Sequence, residues 1–199
     1  MNTTYQCVNV PRIEGNMGIL RANKQIHAEA AELLYSSYTF DFDTHVEAIR
    51  PFLNDLTPFA RSCIKGIRVV KRGLAWDKEF DRAEWNSALR YLTSPGSDLN
   101  LRRLELGIVA GRPGPNGWDR VATYASQDFN VLKDMDGMQW MQYLLELRNL
   151  SELDVKAVIE HCAPAHTSTA MATFVRFSAS IESGFAKFLR QQLLPVSGV

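Results

Sequence analysis

Hydrophobic and polar positions along this chain switch between two periods, and the switches lay out its elements. Over residues 19–35, Ile19, Leu20, Ile26, Ala30, Leu33 and Leu34 recur at steps of three and four, the period of one helix face. In YTFDFD the period drops to two, with Tyr38, Phe40 and Phe42 alternating with Thr39, Asp41 and Asp43, which predicts a half-buried strand. Residues 45–56 return to helical spacing with Val46, Ile49, Phe52, Leu53 and Leu56 on one side. Thr57 and Pro58 then offer an N-cap and a first-turn proline for a short helix that runs into the strand IKGIRVVK. The same order recurs over residues 77–93, where Phe80, Trp85, Ala88, Leu89 and Leu92 keep helical spacing until SPGSDLN stops them and LRRLELGIV reads as a strand. Residues 110–135 lack a clear period and predict a long irregular connection, a candidate mobile or functional loop. A helix over 136–148, the strand LSELDVKAVIE and a last amphipathic helix carrying Ile181, Phe185, Phe188, Leu189 and Leu193 complete the reading.

Three of the strand segments share one template, LxxLxL, in the forms Ile64, Ile67, Val69; Leu101, Leu104, Leu106; and Leu150, Leu153, Val155. That is the strand core of a leucine-rich repeat. Aligned with Phe40, the template's fourth position falls at Ile67, Leu104 and Leu153, at intervals of 27, 37 and 49 residues. Regular repeats run at about 20–29 residues, so the later units need larger helical insertions. Each strand follows a helix, which permits adjacent parallel strands joined by right-handed crossovers. In that register, one alternate row holds Asp41, Arg68, Glu105 and Asp154, and the row before it holds Thr39, Gly66, Arg103 and Glu152. A doubly wound sheet wants apolar residues on both faces; these rows are polar. The expected architecture is therefore an α/β, two-layer leucine-rich-repeat-like arc: a parallel sheet with helices on one face, as a single domain over residues 1–199. Arg68 should stand between Asp41 and Glu105, and Arg103 beside Glu152.

Composition narrows the function classes. The 199 residues are 46% hydrophobic, with 22 Lys plus Arg balanced by 22 Asp plus Glu, so no global field favours nucleic acid or an anionic membrane. Three dispersed cysteines, Cys7, Cys63 and Cys162, form no CxxC pair, which speaks against a disulfide framework or a zinc ribbon and fits a reducing compartment. No apolar run approaches the roughly 18 residues of a membrane span, and the first residues lack the pattern of a secretory leader. A cytoplasmic or nuclear location, without membrane or nucleic-acid partners, is the expectation.

The segment ILRANKQIHAEAAELLYSSYTFDF, through Leu20, Arg21, Asn23, Lys24, Gln25, Ile26, Glu29, Ala30, Leu33, Leu34, Tyr35, Thr39 and Phe40, resembles a group of fungal F-box-like proteins of unknown function. TPFARSCIKGIRV looks like the same group's second recurrent piece, so the resemblance covers about residues 18–72. Members of that group frequently begin with a helical module that docks a ubiquitin-ligase adaptor. Only about eighteen residues precede the first matched helix, too few for three helices, so the resemblance implies the fold and not the ligase role.

Candidate chemistry is sparse. His161, Cys162 and His166 cluster after the last template strand, where parallel sheets place sites, but neighbours in a strand point to opposite faces, and the bland reading is a packed cysteine beside solvated histidines. DMDG at 134–137 opens like a calcium loop, yet the twelfth position is Leu145 where a bidentate Glu is required; it reads as a helix N-cap. GRPGPNG does not match a phosphate loop. His27 reads as a partly buried histidine of the first helix, and Arg61, Lys65, Arg68, Lys71 and Arg72 as a local basic run without interleaved aromatics. Trp76, Trp85 and Trp140 suit core or lid positions, while Trp118 in the irregular loop is a candidate contact residue. The reading is a non-catalytic domain with no cofactor and no metal, binding a protein partner through Asp41, Arg68, Arg103, Glu105, Glu152, Asp154 and the 110–135 loop. The alternative is a small-molecule-binding protein or enzyme with a pocket under that loop, involving Trp118 and Cys162.

Overall fold

The computed structural model describes residues 18, 23–72, 79–111, 121–135, 137–160 and 169–195. Helix α1 (Lys24–Ser37) starts where the Asn23 side chain accepts the Ile26 N–H at 2.9 Å. It leads to strand β1 (Thr39–Asp41), a turn of 3-10 helix (Val46–Ala48) and α2 (Ile49–Asn54). Helix α3 (Pro58–Cys63) is started as its sequence predicts, with Pro58 in the first turn and Thr57 Oγ1 accepting the Ala60 N–H at 3.2 Å. Strand β2 (Gly66–Lys71), helix α4 (Glu79–Thr93) and strand β3 (Arg103–Ala110) follow. Two short helices, α5 (Phe129–Leu132) and α6 (Met141–Leu144), precede strand β4 (Glu152–Ile159). Helix α7 (Thr169–Ser180), a π-turn (Ile181–Phe185) and α8 (Ala186–Leu193) close the described chain.

The four strands form one parallel sheet in sequence order. Phe40 pairs with Ile67, Ile67 with Leu104 and Leu104 with Leu153, the register that the repeated template predicts. Ile67, Val69, Leu104, Leu106, Leu153 and Val155 point into one continuous core with Leu53 of α2, Trp85 and Leu89 of α4, Leu144 of α6 and Phe188 of α8. Two apolar layers, one of strands and one of helices, thus bury each other, which drives the fold. The free edge of β4 is covered by the last helical segment: the Glu182 carboxylate accepts the Ala157 N–H at 3.0 Å, and Arg190 Nε reaches the Leu153 carbonyl at 3.5 Å. Such cover keeps an edge from pairing with another chain.

Several sequence expectations need correction. Phe80 was expected on the buried face of α4 and is exposed. At about 100° per residue, it lies far round the helix from the stripe that Trp85, Ala88, Leu89 and Leu92 bury. Leu33 is likewise exposed, because the buried position of α1 is Ala31, on nearly the opposite side. The helix over 136–148 shrinks to four residues, bracketed by positive φ at Gly137 (81°) and Asn149 (64°). The N-cap position of α6 is Trp140, which makes no side-chain cap bond, so this helix does not start at DMDG. Successive turns there point Met138, Trp140, Met141, Leu144 and Leu147 into the core.

Within the expected irregular connection, residues 126–132 are helical. Strand β3 runs to Ala110, and the described residues 121–135 are held against the helix layer. Phe129 is fully buried among Phe177, Phe185 and Phe188. The Tyr124 N–H donates to Ser180 Oγ at 2.7 Å, and the Arg176 guanidinium lies 4.1 Å from the centre of the Tyr124 ring. Residues 112–120, including Trp118, lie outside the described residues, as does the 161–168 segment with His161, Cys162 and His166.

Candidate interaction face of the sheet

Side chains of a strand alternate between faces, so the residues between the core positions share the side of the sheet away from the helices. The paired strands set them in rungs: Arg68 stands between Asp41 and Glu105, and Asp154 follows Glu105. One rung earlier, Gly66, Arg103 and Glu152 are neighbours. Gly66 is needed there because a Cβ would come within 2.9 Å of Thr39 Oγ1.

The charges pair along these rungs. Arg68 Nη1 donates to Asp41 Oδ2, and Arg103 Nε donates to Glu152 Oε2 at 2.7 Å. Lys156, one step further along β4 on the same side, donates to Asp154 Oδ2 at 2.6 Å. The hydrogen bond and charge of Arg103 hold the Glu152 carboxyl below its ordinary value, and Glu152 raises Arg103 in return. Asp154, with a smaller contribution from Glu105, raises Lys156. Glu105 is the central carboxylate, and with Arg103, Glu152 and Asp154 it lines a shallow depression of about 530 Å³. The face is mixed in sign and fixed in pattern, since each side chain stands on a hydrogen-bonded strand.

The lowered Glu152 value gives a direct check. A group whose folded pKa is depressed adds stability above its unfolded pKa and loses it as pH falls through the folded one. In a carboxyl-detected NMR titration Glu152 should therefore titrate below an ordinary glutamate, and Arg103→Gln should return it upward. An unchanged Glu152 midpoint in that variant would contradict the pairing. Because the group is solvated, the accompanying change in folding stability should be small.

The six charged positions singled out from sequence, Asp41, Arg68, Arg103, Glu105, Glu152 and Asp154, share this face. Lys156 belongs with them and was legible from the same alternation. The local basic run, by contrast, disperses. Arg61 turns toward the helices, donating to the Leu53 and Leu56 carbonyls at 3.3 and 3.0 Å and pairing with Asp98 at 3.1 Å. Lys71 is buried, its ammonium 5.8 and 6.0 Å from the ring centres of Trp85 and Trp140. Trp85 and Trp140 meet edge to face, and Trp85 Nε1 donates to the Trp140 carbonyl at 3.1 Å; both are core residues. His27 is exposed rather than partly buried, and Cys63 is buried.

From the third rung, where Val70 and Gly107 stand level with Lys156, the character of the outward face changes. Val70, Gly107, Val109 and Val158 succeed the charged rows, and Val70 and Val109 are buried. Among the described residues no group of three or more His, Cys, Asp or Glu is placed to hold a metal ion, and no helix is long and apolar enough to cross a membrane. Comparisons with family models, with curated proteins and with solved structures found no match to this chain.

Proposed function

We propose that this chain is a non-catalytic interaction domain that binds a protein partner through the polar rungs of its sheet. The supporting observation is the paired, register-locked set of charges on the side that the helix layer leaves uncovered. Exposed ion pairs of this kind contribute only about 0–1 kcal/mol each to folding, so folding does not require so ordered a pattern. A patterned mixed-charge surface instead selects a partner with the complementary pattern and penalises like-charge partners. The resemblance of residues 18–72 to fungal F-box-like proteins supports an intracellular fungal setting and makes fungal lysate the source in which to seek the partner.

Reversing the central charge separates folding from binding. Arg68→Glu faces Asp41 and Glu105 with a third carboxylate, yet it should shift stability by no more than about 1 kcal/mol at a solvated site. Quantitative affinity capture from fungal lysate should recover a partner with the parent chain and lose it with this variant, while the thermal midpoints of the two stay within a few degrees. Equal recovery by both chains would sink the proposal for this face.

A further inference from the structure

The charges of the polar rungs do not balance, and the imbalance falls on one residue. Asp41, Glu105, Glu152 and Asp154 supply four carboxylates, against three cations from Arg68, Arg103 and Lys156. Each cation is committed: Arg68 to Asp41, Arg103 to Glu152 and Lys156 to Asp154. Glu105 is half-buried on an inner strand of the sheet, yet among the described residues its side chain makes no hydrogen bond or ion pair.

Its surroundings disfavour a lone carboxylate. Asp154 is its register partner on β4, and neighbouring strands lie about 4.8 Å apart, so two like charges stand side by side, a pairing that costs stability in the free domain. Arg68, its partner on β2, is held by Asp41, while Arg103 and Lys156 feel the charge of Glu105 without bonding to it. Lys156 occupies Asp154 Oδ2, which leaves Oδ1 to accept a further bond. The depression of about 530 Å³ bordered by Arg103, Glu105, Glu152 and Asp154 gives access to both carboxylates from the uncovered side of the sheet.

The cation that suits this position is one that two carboxylates suffice to hold, since among the described residues no group of three or more His, Cys, Asp or Glu is placed to bind a metal ion. A guanidinium is planar and carries several fixed donors, so it reaches carboxylates on adjacent strands together, whereas an ammonium acts as a point charge. We infer that the protein partner places the guanidinium of one arginine between Glu105 and Asp154. This rests on the reading of the polar rungs as a protein-binding face and adds the chemistry that meets its centre. Arg68 and Arg103 flank the position and repel further cations, so the arginine stands among neutral or acidic neighbours in the partner and not in a basic run.

An amide NMR titration at low ionic strength with acetyl-Ala-Arg-Ala-amide, beside its lysine and citrulline counterparts, reads this contact directly. The arginine peptide should shift the amides of Glu105 and Asp154 saturably in the millimolar range. The lysine peptide should bind several-fold more weakly, and the neutral citrulline peptide should leave those amides in place. Glu105→Gln should weaken the arginine peptide by about tenfold, the loss of one charge-assisted contact, while its thermal midpoint stays at or above that of the parent chain, because a like charge beside Asp154 is gone. The inference is overturned by no saturable shift, by equal binding of the lysine or citrulline peptide, by unchanged affinity in Glu105→Gln, or by shifts spread over exposed carboxylates elsewhere. Affinity capture with Arg68→Glu keeps the two proposals apart: a partner lost in that variant together with a failed titration rejects the arginine and leaves the binding face, and a partner retained rejects both.

Discussion

Phe129→Ala is expected to destabilise the protein by about 3–5 kcal/mol, the range for emptying a buried aromatic site. Phe129 sits on a four-residue helix with no side-chain cap, too short to be stable by itself. Its position is set by its ring, whose centre lies 5.1 Å from Phe185, 5.8 Å from Phe188, 6.2 Å from Phe177 and 6.1 Å from Tyr124. Removing the ring leaves a void lined by rings from α7, the π-turn, α8 and the connection at Tyr124, so the site cannot close by moving one of them. Denaturant unfolding reads the effect as a lower midpoint. Val131→Ala, two residues away and exposed, should change stability by less than about 0.5 kcal/mol. If the two variants were equally stable, residues 121–135 would not form part of the core as described above.

The contrast between these two residues marks what the sequence could reveal. Strand order and register were readable because each strand carries the same apolar template, and a slip of one residue would turn every core side chain outward. The charged rungs followed from that register without further information. Phe129 was not readable, since neither its one-turn helix nor the turns before α6 persist long enough to show a period. Lys71 could have been placed: it shares the parity of Ile67 and Val69, and grouping it with nearby basic residues ignored that alternation. Phe80 and Leu33 show the converse error, in which a hydrophobic residue was assigned to a helix face by type although its angle places it off the stripe. The placement of Val70, Val109 and Val158 was also legible, because they continue the outward rows. What no local pattern discloses is long-range fastening, such as the Ser180 hydroxyl bound to the Tyr124 N–H or Glu182 bound to β4.

That fastening leads to the second large effect, expected for Gly184→Ala. Gly184 lies in the π-turn between α7 and α8, where an added Cβ would fall 2.0 Å from the Tyr124 carbonyl oxygen and 3.2 Å from the Ala125 carbonyl carbon. Both obstacles are backbone atoms, so no side-chain rotation relieves the clash. Neither partner is free to withdraw. The 123–126 strand of chain is tied down by Ser180 Oγ at the Tyr124 N–H, by Arg176 Nη2 donating to the Thr123 carbonyl at 3.3 Å, and by Ser126 Oγ donating to Gln191 Oε1 at 2.6 Å. The π-turn is fixed from the other side by Ile181 and Phe185 in the core and by Glu182 on the edge of β4. One methyl group should therefore cost about 3 kcal/mol, the upper part of the range for overpacking, and lower the thermal midpoint by about 6–12 °C in a chain of this size. Gly96→Ala is the matched comparison, because its Cβ would have only Ser94 Oγ nearby, at 3.9 Å, and its midpoint should barely move. Equal midpoints for the two variants would mean that the 121–125 segment does not approach the π-turn, and that the long connection is attached to the helix layer in some other way.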